Sequence, residues 1–200
     1  SRLGNCVIDE GIIVAEGTMV AYREECITAL NSVDLDAVES VSNALLQARD
    51  RGSRIFVVGN GGSAATASHM ATDLMLGSGL VDPPLRVVAL TDNQAIITAT
   101  GNDISFDQVF SRQLIHLAER GDIIMALSAS GNSPNVLACV DAAKELGLTT
   151  IAFTGFDGGR LAALADLLVH VPTRMGAYGP VEDVHLVVNH MITEQLKGAN

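Results

Sequence analysis

The chain has 200 residues, a formal net charge of −11 and 48% hydrophobic residues. That length fits one α/β domain with a full core, and no apolar run reaches the roughly 18 residues of a membrane span. The acidic charge argues against nucleic acid as a partner, and 4% aromatic residues with no Trp argue against a base-stacking surface. Three cysteines without a CxxC spacing, and no signal-peptide pattern, lead us to expect a cytoplasmic protein without disulfides.

The N-terminal quarter of the chain is expected to be helical. Residues 1–14 carry little pattern and are expected to be loosely held. Apolar residues at helical spacing mark one helix from about Val14 to Leu30 and a second one behind Asp34 or Asp36, either of which can cap it. We expect residues 1–52 to serve oligomerisation or to cover one face of a sheet that follows.

The next stretch has the pattern of an anion site. Arg54–Val58 is a short β-branched apolar run, typical of a buried parallel strand. The sequence GNGGS at 59–63 interrupts it, and helix formers resume from Ala64. Glycines let backbone N–H groups approach an oxyanion, and a helix N-terminus adds its positive end. With the hydroxyl of Ser63, this unit predicts a phosphate cradle.

A His/carboxylate pair follows the cradle. His69 and Asp73 are spaced i and i+4, so they share one helix face, and together with the anion site they indicate a small phosphorylated substrate. Two alternatives remain open. The string GNGGSA at 59–64 also fits a dinucleotide fingerprint, although Asp92 lies too far downstream to be the acidic residue that this motif needs. His69 can also be a partly buried structural histidine, with Asp73 an ordinary surface charge.

Further strands alternate with helical segments along the rest of the chain. The predicted strands are Leu85–Leu90, Asp122–Leu127, Thr149–Thr154 and Asp166–Val171. The first predicted helix after the second strand ends at about Thr100, with a break at Gly101–Asp103, and the next covers Phe106–Leu117. A third helix begins at Pro134, and the last covers Val181–Leu196 after a loop from Pro172 to Pro180. This alternation predicts an α/β fold, a single doubly wound five-stranded parallel sheet with flanking helices and preceded by N-terminal helices.

A second phosphate signal follows the third strand. The sequence SASGNS at 128–133 supplies three hydroxyl donors and the backbone freedom of Gly131, and Pro134 then opens a helix at the favoured first position. Taken alone, this loop is as well explained by an ordinary Ser-rich turn. Two such loops at the carboxyl ends of two strands indicate a ligand site, because ligands of open parallel sheets bind at that edge.

Four motifs together resemble the sugar isomerase (SIS) domain. They are GNGGSA at 59–64, SxSGNSPN at 128–135, TGxDGG at 154–159, and EDxH at 182–185 with His190. The resemblance is to the phosphoheptose isomerase group, which interconverts sedoheptulose 7-phosphate and D-glycero-D-manno-heptose 7-phosphate, and it covers about residues 35–197. It implies a flavodoxin-like SIS phosphosugar-binding domain over residues 53–200, a homotetramer with active sites between subunits and, in several members, bound zinc.

The resemblance also implies the site residues. The implied substrate contacts, with the phosphate on the second-loop serines, are Asn60, Gly61, Gly62, Ser63, Thr91, Asp92, Ser128, Ala129, Ser130, Ser133 and Glu182. The implied metal and catalytic set is His69, Asp73, Glu182 and His190. Three of these positions depart from the pattern, since Asp73 stands where the family has Glu, Glu182 where it has Gln, and Ala129 where it has Thr. The lead into the last helix, at 178–181, also differs. The departures leave open an isomerase of another ketose phosphate.

The residue types support an isomerase mechanism. Ketose–aldose isomerisation moves a proton between C1 and C2 through an enediol, and carboxylate and imidazole groups are suited to that transfer. We expect Asp73 to be the base and His190 the acid. Two imidazoles and two carboxylates also suit Zn²⁺. On an ideal helix Glu182 and His190 point about 80° apart, so they converge only if Glu182 lies at a frayed helix start or the metal lies off the axis.

We expect the remaining histidines to have supporting or structural roles. His185 is expected to be a buried or supporting histidine, and His116 and His170 to be structural.

The alternative function is that of a non-catalytic SIS protein, either a phosphosugar-binding regulator or a tetrameric scaffold that binds DnaA. Retention of a histidine at 190 favours catalysis. The expected partner is a small phosphorylated sugar, with neither nucleic acid nor membrane.

Overall fold

The computed structural model describes residues 18–199 and, ahead of them, only the backbone of two short strands. These are β1 (Val7–Ile8) and β2 (Ile12–Ile13), which pair antiparallel. Apart from these strands, the loosely held start expected for 1–14 lies outside the described residues, as does the beginning of the helix expected from Val14. Within the described part of the chain, no helix is both long and apolar enough to cross a membrane.

Five parallel strands form the central sheet. They are β3 (Arg54–Val58), β4 (Arg86–Ala89), β5 (Ile123–Ser128), β6 (Thr149–Gly155) and β7 (Leu167–Val171). Their order is β4-β3-β5-β6-β7, with every neighbouring pair parallel. This is the flavodoxin-like doubly wound order, which confirms the predicted fold. Each strand lies within one or two residues of its predicted position.

Helices cover both faces of the sheet. They are α1 (Thr18–Asn31), α2 (Leu35–Arg51), α3 (Gly62–Thr72), α4 (Gln94–Asp103), α5 (Ser111–Leu117), α6 (Pro134–Leu146), α7 (Gly159–Leu164) and α8 (Tyr178–Lys197). A π-helical turn, Asp73–Gly77, continues α3. Alternate residues of β3 point to opposite faces, so Ile55 packs with α2, α3 and α8, whereas Phe56 packs with α5 and α6.

The N-terminal helices differ in how they pack. Asp34 caps α2 by accepting hydrogen bonds from two backbone N–H groups, and α2 buries Val41 and Leu45 completely in the core beneath the sheet. In contrast, α1 buries only Ala29 among its described residues. One of the two helices thus covers the sheet, while the other leaves most of its side chains exposed.

Two predicted helices have different bounds in the structure. The break expected at Gly101 is wrong, because α4 continues to Asp103; one Gly costs about 1 kcal/mol in a helix and does not end it. The helix expected over Phe106–Leu117 is split into a 3₁₀ turn (Phe106–Gln108) and α5, because Ser105 caps a separate turn by accepting from the Asp107 N–H. The split leaves Phe106 56% exposed.

The last helix begins earlier than expected, at Tyr178 rather than Val181. Pro180 therefore lies in its first turn. Proline is tolerated there because the first N–H groups of a helix have no intrahelical acceptor. The turn after β6 also leads into α7, a short helix that the sequence pattern did not predict.

Candidate active site

The loop after β3 depends on a glycine for its conformation, and a pair of side-chain amides connects it to the helix after the second loop. Gly61 has a φ of 54°, a conformation that favours glycine, and α3 starts directly after it. The side-chain amides of Asn60 and Asn135 exchange two hydrogen bonds, at 2.8 and 2.9 Å. Asn135 is buried and lies in the first turn of α6. This pair fixes the first loop against the helix that follows the second loop, a role that sequence reasoning did not assign to Asn135.

The second loop brings its serines together. Ser128 Oγ lies 3.2 Å from Ser133 Oγ, and Ser130 Oγ accepts a hydrogen bond from the Asn132 N–H at 3.2 Å. The loop also rests on the turn after β6, because a Cβ on Gly131 would lie 2.0 Å from the carbonyl oxygen of Gly158. Only glycine allows that approach, so the hydroxyl groups are presented from a closely packed support.

A cavity of about 120 Å³ lies between the two loops. Its lining residues are Asn60, Ser63, Leu127, Ser128, Ala129, Ser130, Ser133, Tyr178 and Glu182. The structure thus brings together most of the predicted substrate contacts, with Tyr178 in addition. Of the predicted loop residues, Gly62 lies directly below the Glu182 carboxylate, since a Cβ on Gly62 would lie 2.2 Å from Glu182 Oε2.

Glu182 faces this cavity from α8. Burial raises the pKa of its carboxyl group, and the negative charge of Asp183 raises it further. Serine side chains line the same cavity, and none of its lining residues is Lys or Arg. The cavity can therefore hold an anion only through neutral donors and the N-terminal ends of helices.

A second group of side chains lies where α3 meets α8. His69 Nε2 lies 3.2 Å from His190 Nε2 and 3.2 Å from Asp73 Oδ2, and His190 Nε2 lies 3.5 Å from the same oxygen. Both imidazoles are about half exposed, whereas the Asp73 side chain is 20% exposed. Two imidazoles and a carboxylate turned toward one point can hold a metal ion. We call His69, Asp73 and His190 the His–Asp–His cluster.

Glu182 is not part of this cluster among the described residues. It precedes His190 by eight residues on α8, which places their backbones about 12 Å apart along the axis. The structure therefore brings together three of the four residues of the predicted metal set and places the fourth at the cavity between the loops.

Thr91 and Asp92 approach the site from the end of β4. Ser68 of α3, next to His69, lies 3.1 Å from Thr91 Oγ1 and donates a short hydrogen bond to Asp92. Sequence reasoning missed Ser68. It also missed Asn189, whose Nδ2 donates to Asp73 Oδ2 at 2.6 Å. One feature of the sequence could have indicated Asn189, because it is a polar residue at a position where the helical pattern of α8 predicts an apolar, buried one.

The other histidines have different surroundings. His185 is fully buried, with Nε2 3.2 Å from the Thr154 carbonyl oxygen, and burial lowers its pKa to about 4. His170 Nδ1 lies 3.0 Å from Thr154 Oγ1, and burial lowers the pKa of His170 as well. His116 is exposed on α5.

Comparison with known proteins gives concordant matches. Residues 20–155 match the SIS domain family. The chain is 42% identical over 166 residues to the phosphoheptose isomerase of Mycobacterium bovis, covering 82% of this chain and 83% of that protein. It is 43% identical over 144 residues to the phosphoheptose isomerase of Nitratidesulfovibrio vulgaris, covering 72% and 68%. The solved structure of phosphoheptose isomerase from Neisseria gonorrhoeae superposes with a TM-score of 0.82 at 34% identity, covering 90% of this chain and 97% of that chain.

Proposed function

The chain belongs to the SIS domain family and, within it, to the phosphoheptose isomerases, and we infer that it interconverts sedoheptulose 7-phosphate and D-glycero-D-manno-heptose 7-phosphate. The observation that carries this inference in the structure is the pairing of two sites on the same two helices. A cavity lined by serine hydroxyls lies at the start of α3 and α8, and the His–Asp–His cluster lies further along both.

The serine-lined cavity is proposed to hold the phosphate. Ser63, Ser128, Ser130 and Ser133 offer hydroxyl donors, and the start of α3 offers backbone N–H groups and the positive end of the helix dipole. In this assignment Glu182 is a contact for sugar hydroxyl groups rather than for the metal, because its carboxylate faces the cavity. Two further pairs are proposed as substrate contacts, namely Gly61 with Gly62 and Thr91 with Asp92.

The cluster is proposed to carry the proton transfer. Ser63 and His69 are six residues apart on α3, which corresponds to about 9 Å of helix rise, and an open-chain phosphorylated sugar bridges such a distance. Asp73 takes the proton from C1 of the ketose while the carbonyl oxygen O2 gains one, which forms the enediol. His190 then delivers a proton to C2 while the O1 hydroxyl loses its proton, so the substrate neither gains nor loses a proton overall. Both groups belong to the residue types that perform such transfers near neutral pH.

The cluster is also proposed to hold zinc. A tetrahedral Zn²⁺ with bonds of about 2.0–2.1 Å separates its ligand atoms by about 3.3 Å. The three separations in the cluster are 3.2, 3.2 and 3.5 Å, so its donor atoms already have the spacing of three corners of that tetrahedron. Bound zinc would be held by His69, Asp73 and His190 and would supply Lewis-acid polarisation of the substrate carbonyl.

The assembly and the location of the protein are proposals as well. We propose a homotetramer to which α1 contributes, since α1 exposes Met19 to 87% and Val20 to 55%, and large apolar side chains on one helix are typical of an interface. We propose a cytoplasmic location, which the free thiols of Cys26 and Cys139 support.

The test is isomerisation of sedoheptulose 7-phosphate by the purified protein, with added zinc and after chelation. We expect conversion to an aldoheptose phosphate that chelation abolishes, and a loss of about 10²–10⁴-fold in kcat for Asp73→Asn and for His190→Gln. His116→Gln, on the exposed face of α5, is the matched control and should keep wild-type turnover. Wild-type protein that converts no substrate with zinc present would refute the function. Near wild-type turnover in the two cluster variants would refute the assignment of Asp73 and His190.

A further inference from the structure

Asn189 contacts the Asp73 carboxylate but takes no part in the proposed proton transfer. It lies on α8 immediately before His190 and is fully buried. Its Nδ2 donates to Asp73 Oδ2 at 2.6 Å, the same oxygen that faces both imidazole nitrogens of the cluster. The Oδ1 atom of Asp73 faces the π-helical turn, where a Cβ on Gly77 would lie 3.6 Å from it. The carboxylate therefore lies between α8, which donates to it, and Gly77 of that turn.

The side-chain amide of Asn189 also lowers the stability of the folded state. Asn189 Oδ1 is buried and has no hydrogen-bond partner among the described residues. A buried acceptor without a donor destabilises the folded state, whereas an apolar side chain of the same shape avoids that penalty. The neighbouring core positions of α8, Val188 and Ile192, are apolar and buried. An amide at such a position breaks the local pattern, which is typical of functional sites.

We propose that Asn189 is a positioning residue that holds the Asp73 carboxylate toward His69 and His190. The terminal torsion of an aspartate is soft and broadly distributed, so without a partner the carboxylate rotates among several orientations. Asn189 and His190 are consecutive on one helix, so a single rigid segment sets the orientation of Asp73 and one of the imidazoles it faces. The proposal rests on the proposed function, in which Asp73 is both base and metal ligand.

The test compares Asn189→Leu with Thr193→Val. Leucine has the same branch point and the same number of side-chain heavy atoms as asparagine, but it removes both the donor to Asp73 and the unpaired acceptor. We expect kcat/KM for sedoheptulose 7-phosphate to fall about 10–100-fold, mostly through a lower kcat. The affinity for Zn²⁺, measured with the metal alone, should also fall about 10–100-fold. The melting temperature should change little, because removing the unpaired acceptor offsets the loss of the hydrogen bond to Asp73.

Thr193→Val is the matched control. It removes one hydrogen bond one turn further along α8, from Thr193 Oγ1 to the backbone oxygen of Asn189 at 2.9 Å, without touching Asp73. It should keep wild-type kcat/KM and zinc affinity. In an Asp73→Ala background, Asn189→Leu should cause no further loss of zinc affinity, because the carboxylate that it positions is absent.

Three outcomes would overturn the proposal. They are wild-type zinc affinity and kcat/KM in Asn189→Leu, losses that add fully to those of Asp73→Ala, and a lowered melting temperature with unchanged kcat/KM. If Asn189→Leu does not fold, Asn189→Ser, too short to reach Asp73, should show the same loss of zinc affinity. If wild-type protein has no turnover, the proposed function fails, and the zinc affinities of the same variants still decide the role of Asn189.

Discussion

Single side chains decide what each part of this site does. The family resemblance groups Glu182 with the metal ligands, but its carboxylate lies over Gly62 and faces the serine-lined cavity. Asn189 carried no motif, yet it donates directly to Asp73. Seven residues separate Glu182 and Asn189 on α8, which puts them on nearly the same face but about 10 Å apart along the axis. They therefore reach different parts of the site.

Buried His185 leads to a prediction about stability and pH. Burial lowers its pKa from 6.5 to about 4, so protonation favours the unfolded chain. The stabilisation that depends on neutral His185 is complete above pH 6.5 and is lost as the pH falls toward 4. It should decrease by about 2 kcal/mol between pH 8 and pH 5.

Urea unfolding of wild type and His185→Gln at both pH values measures this effect. The difference in unfolding free energy between the two proteins should shift by that amount in favour of the variant at pH 5. His116→Gln, an exposed histidine on α5, should show no such shift. An equal pH dependence in wild type and His185→Gln would contradict the assignment of His185 as the buried neutral group.

At the scale of elements, the site depends on how closely three loops approach one another. The loop after β5 rests on the turn after β6 at Gly131, and the amide pair of Asn60 and Asn135 connects the loop after β3 to α6. These contacts join the carboxyl ends of three neighbouring strands. The turn after β6 does not line the cavity itself but supports the serine loop that does, so a shift in that turn changes the cavity.

Gly131→Ala tests this dependence against Gly52→Ala. Both glycines have positive φ, 62° and 69°, so alanine costs about 1–2 kcal/mol of backbone strain at either position. Of the two, only Gly131 would place the new Cβ against a carbonyl oxygen, whereas at Gly52 no atom of the described residues lies within 4 Å. We expect Gly52→Ala to keep wild-type kinetics and Gly131→Ala to raise KM about 10-fold or more, because the serines are displaced.

Steady-state kinetics and urea unfolding of both variants give the comparison. A KM that rises equally in the two variants would mean that strain alone, and not the contact between loops, controls the phosphate cavity.

At the scale of the whole molecule, the exposed face of α1 is the feature that the single chain leaves unexplained. Tyr22 ties α1 to α8 by donating to Asp183 Oδ2 at 2.6 Å, which raises the pKa of Tyr22. Ile27, on the same helix, is 46% exposed. The helix is thus attached to the element that carries Glu182 and His190 while it presents apolar side chains outward.

Ile27→Lys tests whether α1 contributes to a tetramer. A buried interface does not tolerate an unpaired ammonium group, so we expect a smaller assembly by size-exclusion chromatography with light scattering. Ile115→Lys on α5, where the wild-type side chain is 53% exposed, is the matched control and should leave the assembly unchanged. A wild-type protein that is monomeric, or an unaltered tetramer in Ile27→Lys, would refute the role of α1.

The sequence by itself determined the architecture and the chemistry of the loops. Apolar runs separated by glycine and serine specified five strands and the phosphate-type turns, because these signals are local in the chain and repeat with the period of each element. The sequence predicted the helix bounds less accurately than the strands. Gly101 lies inside α4 and Pro180 in the first turn of α8, although both residue types are also typical of positions outside a helix.

The resemblance implied which residues belong to the site, but only the tertiary structure decided which of their side chains meet. His69 and His190 are 121 residues apart and meet because α3 and α8 pack on the same face of the sheet. The same packing brings Asn189 onto Asp73 and separates Glu182 from the cluster. Periodicity shows which face of a helix is apolar but not which residue of another helix lies opposite, because that register depends on packing of the whole core.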